Sequence, residues 1–155
     1  MEDTRIIAYK DIQSLPQRLT GKKIILVGGC FDVFHIGHLT FLSRAKQLGD
    51  VLVVLLESDD FIRKVKKREP VHRIEERALI LSELRCVDLV ITLPHMIDNH
   101  DYEEIIRKIH PTIIAVTQGD PKLILKQNQA KTINGFVVEV DYVPGYSSSE
   151  VRALF

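Results

Sequence analysis

The chain has 155 residues, and its 21 Lys and Arg balance 21 Asp and Glu, so the formal net charge is zero. Hydrophobic residues make up 45% and charged residues 27% of it, the mix of an ordinary globular domain. This composition excludes a disordered tail or a low-complexity array. It also argues against a nucleic-acid partner, because DNA- and RNA-binding surfaces carry a basic excess. The length predicts a single domain over 1–155 with one core.

Nothing in the sequence predicts contact with a membrane or secretion. The longest aliphatic run, 51–56, is far shorter than the roughly 20 residues of a bilayer-spanning helix. The first residues lack the basic and apolar regions of a signal peptide. Cys30 and Cys86 stand far apart with no Cys-x-x-Cys spacing, which favours reduced thiols. We therefore expect a cytoplasmic protein without a membrane partner.

The first twenty residues predict a short helical extension, with Ile12, Leu15 and Leu19 on one face. Five runs rich in Ile and Val follow along the chain. They are continuous rather than alternating, as is typical of strands that are buried on both faces of a parallel sheet. The predicted strands are 24–27, 51–56, 87–92, 113–117 and 136–140.

Amphipathic segments separate these strands and predict helices over about 39–48, 74–84, 102–109 and 123–130. Gly49 would cap the first of them, and Pro111 would stop the third. Alternating strands and helices predict an α/β fold, Rossmann-like, with an open parallel five-stranded sheet and helices on both faces. Such sheets bind ligands at the carboxyl ends of their strands. The loop after the first predicted strand is therefore the first candidate site.

That loop holds two glycines, Gly28 and Gly29, and two histidines that flank Gly37. His35 and His38 are three residues apart at a predicted helix start, so their rings would share one face. The backbone N–H groups of a helix N-terminus suit an anion such as phosphate. A metal pair or a capping role for the histidines stays open, although no third ligand stands at metal spacing.

The resemblance to a known family rests on two segments. The segment 29–38, which reads Gly-Cys-Phe-Asp-x-x-His-x-Gly-His, resembles the signature of the cytidylyltransferase-like nucleotidyltransferase superfamily. The segment 145–152, which carries three consecutive serines, resembles the family's second signature. The similarity in order and spacing extends over almost the whole chain. It implies an enzyme that joins a nucleoside triphosphate, ATP or CTP, to a phosphorylated small acceptor and releases pyrophosphate.

The resemblance also implies the site residues. His35 and His38 would contact the triphosphate and the charge that grows on the α-phosphate, and Lys46 and Arg77 would complete the catalytic set. Asp32 would either bind the nucleotide or orient the loop. Mg²⁺ would accompany the triphosphate, held largely by the phosphates. The implied nucleotide-binding residues are Gly28, Gly29, Cys30, Phe31, Asp32, Gly37, Lys66, Gly119, Asp120, Tyr146, Ser147, Ser148 and Ser149.

Several subgroups compete for this chain. Cys30, the Gly-Tyr-Ser form at 145–147 and the N-terminal extension are most similar to heptose-1-phosphate adenylyltransferases. The alternatives are a glycerol-3-phosphate cytidylyltransferase, an adenylyltransferase of the FAD synthetase kind, and a module that binds nucleotide without turnover. The stretch 85–88 resembles a dimer contact of the family, which implies a homodimer.

Overall fold

The computed structural model describes residues 5–96, 98–141 and 143–154. A six-stranded sheet runs through the chain in the order β1-β4-β3-β2-β5-β6, and every pair of neighbouring strands is parallel. The first four residues of the predicted N-terminal extension lie outside the described residues. The strands are β1 (Ile6–Ala8), β2 (Ile24–Gly29), β3 (Val51–Leu56), β4 (Leu89–Thr92), β5 (Ile113–Thr117) and β6 (Phe136–Val140).

Helices connect the strands and cover both faces of the sheet. A short 3₁₀ helix over Tyr9–Ser14 precedes the first α-helix. The α-helices are α1 (Leu15–Leu19), α2 (Ile36–Lys46), α3 (Asp59–Val65), α4 (Ile74–Ser82), α5 (Asn99–Ile109), α6 (Leu123–Lys131) and α7 (Ser148–Arg152). The predicted open parallel sheet with its flanking helices is confirmed.

The predicted number of strands was wrong by one, because the N-terminal extension adds the edge strand β1. Its residues pair in parallel with 90–92 of β4. Three half-buried residues are too few to form an apolar run in sequence, so only the pairing partner defines them as a strand. Ile12, Leu15 and Leu19 of the extension are buried in the core, as predicted.

The core lies in two layers, one on each face of the sheet. Alternate residues of β2 point to opposite layers: Ile24 and Leu26 join one cluster, and Ile25 and Val27 join the other. Both faces are therefore apolar, which explains why the strands appear in sequence as continuous runs.

The prediction that Gly49 caps α2 is wrong. The helix ends at Lys46, and Gly49 serves a packing role instead. A Cβ at this position would lie 2.7 Å from Ile25 Cδ1 and 2.7 Å from the Lys23 carbonyl oxygen. The close approach of the loop to β2 therefore requires glycine.

The strand order reverses next to β2. From β2 the chain moves outward through β3 and β4, then returns to place β5 on the other side of β2. This reversal separates the loops that follow β2 and β5, and it opens a crevice at the carboxyl ends of these strands.

The opposite end of the sheet carries Lys46, at the last turn of α2. Its Nζ lies 2.6 Å from Asp88 Oδ2 and also donates to the Asp50 carbonyl. Asp88 Oδ2 accepts a second hydrogen bond, at 2.7 Å, from the Leu52 N–H at the start of β3. Lys46 therefore ties α2 to the amino ends of the strands, and the predicted catalytic role of Lys46 is wrong.

We predict that Lys46→Met lowers the free energy of unfolding by about 0.5–1 kcal/mol, as the loss of a half-exposed ion pair does. The rate of the transfer reaction that the resemblance implies should stay within about twofold of the wild-type rate. Chemical denaturation and a turnover assay on the same preparation check both expectations. A tenfold loss of rate in a variant of unchanged stability would contradict the structural role.

Candidate active site

Two adjoining cavities open in the crevice at the carboxyl ends of β2 and β5. The smaller cavity has a volume of about 310 Å³ and the larger about 510 Å³. Both touch the end of β2, the end of β5 and the loop after β5, so they share one wall. The residues that line both cavities are Gly28, Gly29, Cys30, Ala115, Thr117, Asp120 and Lys126.

The smaller cavity brings together the two segments on which the family resemblance rests. One side is the loop after β2 with the start of α2, and the other is the segment that leads into α7. Ser148 Oγ donates to the Asp32 carbonyl oxygen at 3.1 Å across 116 residues of sequence. The predicted residues that line this cavity in addition to the shared wall are Phe31, His35, Gly37, His38, Tyr146, Ser147 and Ser148.

Backbone hydrogen bonds determine which nitrogen of each histidine carries the proton. His35 Nδ1 accepts from the Gly37 N–H at 3.1 Å, and His38 Nδ1 accepts from the His35 N–H at 3.3 Å. Each neutral ring therefore carries its proton on Nε2. The two rings stack with centroids 3.8 Å apart. The start of α2 thus supplies two N–H donors beside the smaller cavity.

Both histidines are neutral at neutral pH. Burial lowers the pKa of His38 to about 4, and the nearby His35 lowers it further. Burial also lowers the pKa of His35, although the charge of Glu150 acts in the opposite direction. The rings can therefore donate hydrogen bonds to phosphate oxygens without first taking up a proton.

At position 37, where the first signature segment packs against Tyr146 of the second, only glycine fits. A Cβ on Gly37 would lie 2.8 Å from His35 Cε1 and 3.1 Å from Tyr146 Cβ. Any side chain here would displace the His35 ring from its hydrogen bond. The glycine between the histidines is therefore a packing requirement of the site.

Asp32 orients the loop and does not line either cavity. Its side chain is fully buried and accepts from Arg68 Nη1 at 2.7 Å, from the Val71 N–H at 2.9 Å and from the His72 N–H at 3.0 Å. Burial raises the pKa of this carboxyl, but these hydrogen bonds lower it below its usual range, so Asp32 is ionised. Of the two roles left open for Asp32, the geometry favours loop orientation.

Arg77 is a positioning residue, which corrects the catalytic role implied by the resemblance. Its side chain is fully buried, so it cannot contact a substrate. Nη1 donates to the Cys30 and Glu57 carbonyl oxygens at 2.7 and 2.9 Å, and Nε donates to the His72 carbonyl at 3.0 Å. Nη2 lies 2.7 Å from Asp59 Oδ1. One guanidinium thus joins three loops that surround the site.

The remaining predicted cations and hydroxyls divide between the cavities and the surface. Lys66 is exposed and lines the larger cavity but not the smaller one. Ser149 is exposed and lines neither cavity. Ser147 Oγ accepts from the Glu150 N–H at 3.1 Å, so it caps α7 while it lines the smaller cavity.

The larger cavity has an apolar wall and a few polar groups. Gly119 and Asp120, both predicted, lie on it, and Asp120 forms a 2.7 Å ion pair with Lys126. Its apolar side chains come from β2, β3, β5 and the helices α3, α5 and α6. They belong to Leu26, Val27, Leu55, Phe61, Ile106, Ile114, Ala115 and Leu125.

Sequence reasoning missed most of the polar residues of the larger cavity, among them Glu57, Tyr102 and Lys126. Glu57 directly follows a buried strand, and a polar residue at that position of a parallel sheet is a usable signal. Tyr102 begins the amphipathic segment predicted as a helix over about 102–109, where an aromatic residue indicates core packing. Lys126 has no distinguishing signal in sequence, since α6 carries a second lysine, Lys131, that lines neither cavity.

The comparison with protein families agrees with this geometry. The family model described as cytidylyltransferase-like matches residues 26–154. This range begins in β2 and ends after α7, so it contains both signature segments and all residues of the two cavities.

No helix among the described residues is long and apolar enough to cross a membrane.

Individual relatives and solved structures are similar to this chain over most of its length. It is 50% identical over 127 residues to an FAD synthase of Thermococcus onnurineus, which covers 79% of this chain and 82% of that protein. It is 36% identical over 152 residues to the bifunctional protein HldE of Helicobacter hepaticus, over 96% of this chain. The chain spans only 30% of the length of that bifunctional protein.

Two solved structures are similar in fold. The lipopolysaccharide core biosynthesis protein of Thermoplasma volcanium aligns with a TM-score of 0.64 at 27% identity, over 79% of this chain and 98% of that one. A pantoate-beta-alanine ligase from Francisella tularensis aligns with a TM-score of 0.66 at 15% identity, over 96% of this chain and 76% of that one. This second likeness concerns the fold alone. With a family model that matches residues 26–154 and with its paired-histidine site, the chain belongs to the cytidylyltransferase-like nucleotidyltransferases.

Proposed function

We propose that this chain transfers the adenylyl group of ATP to the phosphate of FMN and releases pyrophosphate. The observation that carries the proposal is the large apolar cavity that shares a wall with the histidine-lined cavity. Substrate pockets commonly have volumes of about 300–1,000 Å³ and mostly apolar walls. The smaller cavity would hold the nucleotide, and the larger would hold the acceptor.

The reaction needs two substrates whose phosphates meet. An oxygen of the acceptor phosphate attacks the α-phosphorus of ATP, and a new P–O bond forms. The bond from the α-phosphorus to the bridging oxygen breaks, and pyrophosphate leaves with that electron pair. The shared wall at Gly28–Cys30, with Lys126 beside it, is the place where the two phosphates would meet.

The chain's contribution is positioning and charge stabilisation. A phosphate monoester is largely a dianion at neutral pH, because its second pKa is about 6, so it needs no strong general base. His35 and His38 would donate to the oxygens of the α-phosphate, where charge develops, as preorganised donors do in other sites. Asp32 and Arg77 hold the loop that carries these donors.

Mg²⁺ fits this site as a partner of the triphosphate. Among the described residues, no three His, Cys, Asp or Glu side chains cluster to form a metal cage. Mg²⁺ keeps several waters and is commonly bound by substrate phosphates with few protein ligands. Bound in this way, it would neutralise part of the phosphate charge while the histidines contact the α-phosphate.

The apolar wall favours a flavin over a sugar phosphate as acceptor. An isoalloxazine ring buries a flat aromatic surface, which apolar side chains such as Phe61, Ile106 and Leu125 can cover. A heptose carries a hydroxyl on nearly every carbon, and each buried hydroxyl needs a polar partner. The 50% identity to an FAD synthase, over 82% of that protein, also supports FMN.

A sugar phosphate is the second candidate acceptor. The chain is similar to the bifunctional protein HldE over 96% of its own length, including the N-terminal extension.

A homodimer remains a prediction from the resemblance at 85–88. Within that stretch, Asp88 is already engaged inside the chain by Lys46, while Arg85 is exposed.

The substrate test crosses ATP and CTP with FMN, heptose-1-phosphate and glycerol-3-phosphate in the presence of Mg²⁺, and measures pyrophosphate release. We expect ATP with FMN to give pyrophosphate and FAD in equal amounts. Release with a sugar phosphate or glycerol-3-phosphate alone would contradict FMN as acceptor. Binding of ATP without release from any pair would indicate a binding module.

The histidine donors are tested by His38→Asn. The asparagine Oδ1 can replace Nδ1 as the acceptor for the His35 N–H, but the variant loses the Nε2–H donor. We expect kcat to fall by about 100-fold or more, as for the loss of one transition-state donor, with little change in stability. The matched control is His100→Asn, an exposed residue of α5, which should retain full activity.

An unchanged kcat in His38→Asn, in protein that unfolds at the wild-type temperature, would contradict the role of His38 as a donor. Loss of rate together with loss of folding would assign His38 to the structure of the loop instead.

A further inference from the structure

Glu57 is the buried carboxyl of the larger cavity. It follows β3 directly, and its backbone is held on both sides. Its N–H donates to the Gly29 carbonyl at 3.0 Å, and its own carbonyl accepts from Arg77 Nη1 at 2.9 Å. The residue is only 8% exposed. The side chain therefore starts from a backbone that is held in place, and the residue lines the larger cavity.

Only one of the two carboxyl oxygens of Glu57 is satisfied. Oε1 accepts from Tyr102 Oη at 2.8 Å. Oε2 is buried and has no hydrogen-bond partner in the part of the chain that the structure describes. Buried polar atoms are almost always paired, and leaving one unpaired is costly. An unpaired carboxyl oxygen on a residue that lines a cavity therefore points to a ligand.

The fold itself does not explain this carboxyl. Glu57 caps no helix and forms no ion pair among the described residues, since Lys126 pairs with Asp120 and Arg77 contacts only the Glu57 backbone. Burial raises the pKa of Glu57, while the Tyr102 hydrogen bond lowers it. The charges of Lys122, Arg77 and Lys126 also lower this pKa, but the net shift is upward, so these contacts compensate only in part for burial.

We propose that Glu57 is a specificity-determining residue, whose Oε2 accepts a hydrogen bond from a donor of the acceptor outside its phosphate. This inference rests on the proposed function, because it assumes that the acceptor occupies the larger cavity. Tyr102 holds Oε1 and thereby directs Oε2 to the ligand. On FMN the donor is the imide N–H of the ring or a hydroxyl of the ribityl chain. In either case the acceptor must present an N–H or O–H group to Glu57.

The test is the affinity for FMN, measured by flavin fluorescence without ATP and again as KM during turnover. In Glu57→Gln we expect the Kd and KM for FMN to rise about 10- to 100-fold, as on loss of a hydrogen bond to a charged group. The KM for ATP should stay within about twofold of wild type. The thermal unfolding midpoint should match or exceed that of the wild type, because an amide is cheaper to bury than a carboxylate.

Two further variants separate binding from folding. Tyr102→Phe should also weaken FMN binding, by a smaller factor, because Oε1 then loses the group that orients it. Glu75→Gln, an exposed carboxylate on α4, is the matched control and should behave as wild type.

An N3-methylated FMN identifies the donor. If the ring imide is the donor, wild type should bind FMN at least tenfold more tightly than the methylated analogue, and Glu57→Gln should lose this preference. If the ribityl chain is the donor, both proteins should bind the two flavins in the same ratio, while Glu57→Gln still binds each more weakly.

Two results would overturn the inference, and they differ from each other. Wild-type turnover of FMN with unchanged Kd and KM in Glu57→Gln would reject Glu57 and leave the proposed function intact. Absence of both FMN binding and FMN turnover in the wild type would reject FMN as acceptor, and the inference with it.

Discussion

Arg77 carries a positive charge into a part of the molecule that excludes water, and four oxygen atoms compensate for it. Three are backbone carbonyls from the loops after β2 and β3 and before α4, and the fourth belongs to Asp59. A buried guanidinium is costly unless all of its donors are used, so this arrangement holds only when the loops are in place. Asp32 performs the complementary task with an anion that joins the first signature loop to Arg68 and the 71–72 backbone.

These two buried charges hold in place the loops that carry the neutral histidines of the site. Besides the charged side chains of Asp120, Lys126 and Asp141, the polar groups that line the smaller cavity are neutral imidazoles, hydroxyls and glycine backbone. Asp32 and Arg77 are buried and do not line it. The charges organise the loops, and in the proposed reaction the neutral donors would contact the substrate. A neutral donor also suits a site whose substrate supplies its own negative charge, because it needs no change of protonation during the reaction.

Much of the fold was predictable from sequence, since a parallel sheet buried on both faces requires long apolar runs, which five of the six strands possess. Strand β1 was not predictable, because its three residues are too few to show a hydrophobic pattern. The error at Lys46 has a geometric cause. Lys46 lies two helical turns after His38 and so shares a helix face with it, but these two turns also place Lys46 about 12 Å further along the helix axis. That displacement places Lys46 at the amino ends of the strands. Arg77 was found through the resemblance, but burial cannot be read from a motif, so its role was misjudged.

The central claim is that ATP and the acceptor occupy the two cavities together and react in one step. Cys30 lines both cavities and is the one thiol there, but burial raises its pKa, which opposes a role as nucleophile. The most direct measurement is the steric course at phosphorus, with one stereoisomer of ATP that carries sulfur on the α-phosphate and with FMN as acceptor. The account predicts inversion of configuration, as expected for a single in-line displacement. Retention would mean a covalent nucleotidyl-enzyme and two displacements, and would contradict direct transfer between the cavities.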